Sequence, residues 1–336
     1  TRMSGALLAP ALRDPASVEQ LDAAGWTALL AAARAEQLIG TLAWRVEGLT
    51  MPGAARRVLA DARTTVEQGR MAALWEAEMA RRALAGANIP VLLLKGTAFV
   101  AAGLSAGQGR QIGDLDILVP RERIDEAEAA LIAAGWEWVK PDPYDDEYYR
   151  RWMHELPPLI HRERDRMIDV HHTILPLTAR VTPDAAALLD SGTPLENGLL
   201  VLPPEGMVVH AAAHLFADGD LQGGLRNLWD IRCLIDEFGG AEFDLKLAAC
   251  AARHGLTREV ERALRLSAHL FGDGVRLTLA GRFYVRRLLA RDGWGRPTRK
   301  ATELAFYLRG HWLRMPPLML VRHLWTKWRK GHSPTG

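Results

Sequence analysis

Gly113-Asp114-Leu115-Asp116-Ile117-Leu118-Val119 is a strand with a charged mouth. After Asp114 the residues are apolar at every second place and then continuously, the pattern of a strand entering a core. Strand side chains alternate between faces, so Asp114 and Asp116 point the same way. Two carboxylates on one face repel each other and favour a cation between them. Magnesium suits that place, because it prefers hard oxygen ligands and takes one or two carboxylates together with substrate phosphates.

Upstream, Val91-Leu92-Leu93-Leu94 is an apolar run of strand length that leads into Lys95-Gly96-Thr97 and a helix over residues 98–104. A glycine at that corner lets the backbone approach a phosphate, and the helix start offers free N–H groups to an anion. A plain strand-to-helix turn would look the same in isolation; the neighbouring Asp-x-Asp favours phosphate binding. Arg110 ends a small-residue loop four places before Asp114. Its planar fork suits triphosphate oxygens.

Downstream, a helix is expected over residues 121–134 with Gly135 as its stop, then a strand over 136–139. Residues 140–147 read as a turn-rich acidic loop facing solvent. Leu159-Ile160-His161-Arg162 and Met167-Ile168-Asp169-Val170-His171 read as a hairpin. In its second strand Asp169 and His171 share the face opposite Ile168 and Val170, so Asp169 can complete the carboxylate cluster. His171 either orients Asp169, meets the acceptor or moves a proton; a hydrogen-bonded structural histidine is the plain alternative for it and for His172.

Lys95-Gly96-Thr97, Arg110-Gln111-Ile112-Gly113-Asp114-Leu115-Asp116 and Ile168-Asp169-Val170-His171 together resemble the signature of the polymerase-β-like nucleotidyltransferases. More narrowly they resemble a bacterial branch whose first strand ends in Leu-Lys-Gly. Thr97 stands where serine is usual, and the spacer to Asp114 is longer than the commonest form. The resemblance covers residues 89–173 best, with a weaker echo in His210-x-x-x-His214 and Leu225-Arg226-x-Leu228-x-Asp230-Ile231.

The resemblance implies an α+β fold, with a small mixed β-sheet core over 89–175 between helical regions at 1–88 and 176–336. It implies transfer of a nucleoside monophosphate from an NTP to an acceptor, with release of pyrophosphate. Asp114, Asp116 and Asp169 would hold Mg2+ (or Mn2+) and carry the catalysis. Lys95, Gly96, Thr97, Arg110, Gly113, His171, His214 and Arg226 would contact the nucleotide. Chains resembling this branch accompany polysaccharide biosynthesis and the tailoring of ribosomal peptides such as lasso peptides, so a sugar, a peptide or another small molecule is the expected acceptor. A toxin-like enzyme acting on tRNA or protein, or a non-catalytic nucleotide sensor, is the alternative.

The chain has 336 residues, 49% hydrophobic and 24% charged, which is ordinary for a globular protein with room for two domains. Cys233 and Cys250 are the only cysteines. No disulfide framework or thiolate zinc site is suggested, and a reducing cytoplasmic setting is expected. The apolar patch near residue 10 is too short for a secretory signal, and no apolar run reaches the ~18 residues of a spanning helix.

Charge is uneven. Residues 276–330 hold 14 Lys/Arg against 2 Asp/Glu, a balance of +12, whereas the remainder holds 28 against 38, or −10. Trp294, Trp312, Trp325 and Trp328 lie among those cations. The simplest expectation is a helical cap on the chain's own acidic part. A membrane surface, which would place the protein at the inner face, or an anionic acceptor comes second, and nucleic acid last.

The other helical segments carry less chemistry. Residues 54–85 read as one long helix or two stacked ones, with Arg56, Arg57, Arg63, Arg81 and Arg82 as a solvated face. His210 and His214, one turn apart, lack the His-Glu-x-x-His string and a third ligand, so zinc is not expected there. Arg226 and Asp230 share the same spacing and fit either a cleft wall or an ordinary intrahelical pair.

Overall fold

The computed structural model describes residues 5–139, 143–272, 274–316 and 320. Trp325, Trp328 and most of the expected basic tail lie outside the described residues. Four helices lead in: α1 (Gly5–Arg13), α2 (Ala23–Ala35), α3 (Ile39–Arg45) and α4 (Gly53–Ala85). The last is a single helix of 33 residues, about 50 Å long at 1.5 Å per residue. It buries Leu59, Val66, Ala73, Ala77, Ala80 and Leu84 at helical intervals, and its small residues let α3, α5 and α6 approach. Two of the arginines expected on its solvated face are ion-paired there, Arg81 and Arg82 with Glu78.

The sheet begins with β1 (Leu92–Leu93), then α5 (Lys95–Ala101), β2 (Asp114–Leu118), α6 (Ile124–Ala133) and β3 (Trp136–Trp138). Next come α7 (Pro143–Trp152), β4 (Leu159–His161), β5 (Met167–His171), α8 (Ala185–Asp190), β6 (Thr193–Pro194) and β7 (Leu200–Val201). Among the described residues the sheet has seven strands in the order β3-β4-β5-β2-β1-β7-β6. It is mixed: β2 runs parallel to β5 and antiparallel to β1, while β1 is parallel to β7. The chain is therefore α+β, and β6 and β7 extend the sheet past residue 175.

Leu115, Ile117, Leu118 and Val119 are buried, each such side chain contributing about 1.5–3 kcal/mol. That burial fixes which face of β2 the aspartates occupy. A one-residue slip would put Asp116 into the core and expose Ile117, so the register is strongly specified.

The acidic stretch expected as a loop is helical from Pro143 onward, as α7. Proline suits a helix start, where its missing N–H is no loss. Residues 140–142 lie outside the described set.

The C-terminal half is helical: α9 (Pro204–Ala213), α10 (Gly224–Phe238), α11 (Ala241–Arg253), α12 (Thr257–Phe271), α13 (Leu279–Leu288) and α14 (Lys300–Arg314). A π-turn at His214–Asp218 ends α9. The α14 helix packs on that turn, where Arg309 Nη2 donates to the carbonyl of Phe216 at 2.9 Å. Arg291 donates to the buried Glu36 at 2.8 Å. The described part of the basic region is thus a cap on the chain itself. Among the described residues no helix is long and apolar enough to cross a membrane, and Cys233 and Cys250 are free thiols.

Candidate active site

Parallel pairing of β2 with β5 puts Asp116 directly opposite Asp169, with Asp114 opposite Met167 and Leu118 opposite His171. Register partners on adjacent parallel strands face the same side, so Asp114, Asp116, Asp169 and His171 all belong to one face. Asp114 is exposed at the strand mouth, whereas Asp116 is buried.

Asp116 is the hub. Its Oδ1 accepts from Lys95 Nζ at 2.5 Å and is 2.9 Å from His171 Nε2. Burial pushes its carboxyl up, but Lys95 and His171 more than offset this and hold it well below the usual carboxylate range. Burial likewise opposes the charge on Lys95 and on His171; Asp116 outweighs it for Lys95, and Asp116 with Glu155 does so for His171, so both titrate above their ordinary values.

Asp169 differs. Its Oδ1 is buried and has no hydrogen-bond partner among the described residues. Burial, then the charges of Asp116 and Glu155, push its carboxyl up to about 7. Partial desolvation and Asp116 also raise Asp114. A carboxylate oxygen shielded from water and left unpaired beside two others is what a cation site offers. Asp114, Asp116 and Asp169 supply the hard oxygens Mg2+ prefers. The three are looser than a closed cage: among the described residues, the group of potential ligands lying within 4.8 Å of one another is His154, Glu155 and His171.

A cavity of about 540 Å³ opens over this face. Lys95, Gly96, Arg110, Gly113, Asp114 and Asp116 line it from the core, Gln37 from the N-terminal helices, and His214, Arg226 and Asn227 from the C-terminal ones. Lys95 begins α5 and has a left-handed backbone, φ 49°, a conformation costing about 1–3 kcal/mol that clusters at functional sites. Thr97, expected to offer its hydroxyl, is buried and does not line the cavity.

Gly96 has a reason the sequence does not display. A Cβ there would come within 2.4 Å of Arg110 Nε, so the glycine makes room for the arginine to cross the corner. A Cβ on Gly113 would meet nothing within 4 Å.

Arg110 ion-pairs with Asp230. Arg226 also binds Asp230, through Nε at 2.9 Å and Nη2 at 2.7 Å, and donates to Thr41 Oγ1 at 2.6 Å and to the carbonyl of Ala106 at 3.0 Å. Arg226 is therefore both the intrahelical pair and a cleft wall. Its hydrogen bonds tie three parts of the chain together. His210 is buried within its helix and held neutral, first by burial and then by nearby Lys95.

Glu155 and His154 are the site neighbours that the sequence reading passed over. Glu155 forms a bridge with His171 across the backbone and faces His171 Nδ1 at 3.2 Å. The signal, a His-Glu pair ahead of Leu156-Pro157-Pro158, has no periodicity to mark it; only the strand pairing reveals its neighbour.

A search of curated proteins returned no match. The model of an uncharacterised nucleotidyltransferase family matches residues 22–272, three-quarters of the chain, taking in the sheet, the cavity and the helices behind it. The chain belongs to that nucleotidyltransferase family and is an enzyme that transfers nucleoside monophosphates from NTPs.

Proposed function

We propose that the chain carries out Mg2+-dependent transfer of an NMP group from an NTP to a hydroxyl or phosphate oxygen of a small molecule, sugar or ribosomal peptide product, releasing pyrophosphate. The observation that carries this reading is the Asp116–Asp169 register with an unpaired Asp169 oxygen, next to Asp114 at the mouth of the cavity. Asp114, Asp116 and Asp169 would hold the ion, which when bound neutralises charge on the entering and leaving oxygens.

In the reaction a new bond joins the acceptor oxygen to the α-phosphorus while the bond from that phosphorus to the bridging oxygen breaks. Lys95 places its ammonium beside the phosphates, and the start of α5 directs backbone N–H groups at them. Arg110, pinned by Asp230, adds positive charge along the same wall. Asp169, on the side away from Lys95, accepts the proton of the attacking oxygen. His171 steadies Asp116 through its Nε2. Positioning and charge complementarity supply most of the rate in such transfers.

The test is incubation of the purified chain with α-labelled NTPs, Mg2+ and fractionated small-molecule and peptide extracts. Label should move to an acceptor with the wild type and not with Asp114→Asn/Asp116→Asn. Equal transfer by the double variant would remove the assignment.

A further inference from the structure

His154 and Glu155 play no part in the reading just given; with His171, which steadies Asp116, they form a cluster beside it. Each offers one ligand atom, all within 4.8 Å of one another. Glu155 Oε2 is 3.2 Å from His171 Nδ1 and 3.7 Å from His154 Nε2. Ligand atoms about 2.0–2.2 Å from a tetrahedral zinc stand about 3.4 Å apart, and the two distances bracket that value.

The backbone is fixed in place. Leu156 N donates to the carbonyl of Val170 and His172 N to that of His154, both at 2.9 Å, so Glu155 makes a single antiparallel bridge to His171 of β5. His171 is thus held on a strand, and two backbone hydrogen bonds tie His154 and Glu155 to it.

A simple Glu155–His171 ion pair accounts for part of this cluster only. His154 is buried, stacked on His171 with ring centroids 5.2 Å apart, and its Nδ1 has no hydrogen-bond partner among the described residues. Its Nε2 faces Glu155 at a distance too long for a hydrogen bond. A cation standing between Nε2 and Glu155 would take the lone pair that the carboxylate is too distant to meet. His171 meets the other requirement of a metal-binding histidine: while Nδ1 turns to the cluster, Nε2 sits 2.9 Å from a carboxylate, Asp116. That carboxylate–histidine arrangement fixes ring orientation and tautomer in metal sites.

We infer that His154 Nε2, Glu155 Oε2 and His171 Nδ1 form a second metal site, selective for a borderline divalent ion such as Zn2+ over Mg2+, which braces Asp116 through the His171 ring. Two imidazoles and one carboxylate suit zinc and poorly suit magnesium. The site is separate from the Asp114 side of the cavity and stands whether or not the transfer reaction does.

The experiment uses the full chain, stripped with chelator, equilibrated with Zn2+, freed of excess metal by gel filtration and measured for zinc by mass spectrometry. About one zinc per chain should be retained, and Co2+ in its place should give the visible absorption of a low-coordinate site. His154→Gln and Glu155→Gln should each weaken zinc binding at least tenfold, while Asp114→Asn should leave it unchanged. A folded wild type, judged by circular dichroism, that retains no zinc overturns the inference, as does equal retention by both substituted proteins. If the substitutions prevent folding, the wild-type stoichiometry and cobalt spectrum decide. A wild type that retains no zinc yet still binds NTP with Mg2+ would sink this site alone.

Discussion

The two sides of the cavity are built on opposite principles. On the carboxylate side Asp114 and Asp116 line the cavity with Asp169 beside them on the same sheet face; Asp114 and Asp169 have raised pKa values, and one buried Asp169 oxygen has no partner among the described residues. On the arginine side Arg110 and Arg226 share Asp230, and Arg226 is further bonded to Thr41 and Ala106. On the first side Asp116 is paired with Lys95 and His171 while Asp114 and Asp169 are left for something to arrive; on the second one carboxylate holds both guanidinium groups, with Arg110 Nε buried and unpartnered among the described residues. Carboxylates in a cleft with perturbed titration are the mark of a site that does chemistry, while a hydrogen-bonded buried ion cluster fixes geometry and is costly to break.

Substitutions should therefore divide by side. The largest effect falls on activity: Asp116→Asn should reduce NMP transfer by at least about 10³-fold while the folded chain persists, measured by label transfer and circular dichroism. Asp230→Ala should do the reverse in kind. It leaves two buried guanidinium groups without their carboxylate, so thermal or urea unfolding should show a loss of about 3–5 kcal/mol. If Asp230→Ala costs activity but no stability, the contrast between the two sides fails.

The pH dependence sharpens the same contrast. A carboxyl raised to about 7 in the folded chain binds a proton there that the unfolded chain has already lost. That group therefore lowers stability as pH rises from about 4 to 7, with its full penalty above 7. Asp169→Asn should be more stable than wild type at pH 8 by about 2–4 kcal/mol and no more stable at pH 4. Comparing the two chains in urea isolates this group from the buried histidines His154 and His210, whose depressed pKa values act in the opposite direction. An equal difference at both pH values would contradict the titration. The smallest effect belongs to the exposed pair Glu67–Arg70 on α4. Glu67→Gln should leave the urea midpoint unchanged within measurement error, and a clear downward shift would mean that α4 depends on its surface charges.

What the sequence displays and what it hides follow from the range of each interaction. The period-2 run from Asp114, the hairpin around residue 164 and the single helix ending at Ala85 are local patterns, and the structure has all three. Asp184 as a helix start is also local, its carboxylate accepting from Ala187 N at 2.9 Å. The α7 helix was hidden because proline and aspartate serve turns and helix starts alike. Pairing across long separations is hidden for another reason. Nothing near Arg110 points to Asp230, 120 places away, and nothing near Gly96 reveals that the glycine makes room for that arginine. Glu155 and His154 acquire meaning only when the chain lays them along β5. The acids could be nominated from sequence, but their register, and the second cluster beside them, had to come from the fold.

The central claim is that Asp114, Asp116 and Asp169 hold Mg2+ for an incoming NTP, and calorimetric titration of NTP with and without Mg2+ tests it most directly. The account predicts that Mg2+ tightens NTP binding at least tenfold in the wild type and has no such effect in Asp114→Asn/Asp116→Asn. The same Mg2+ enhancement in the double variant, or none in the wild type, would contradict it.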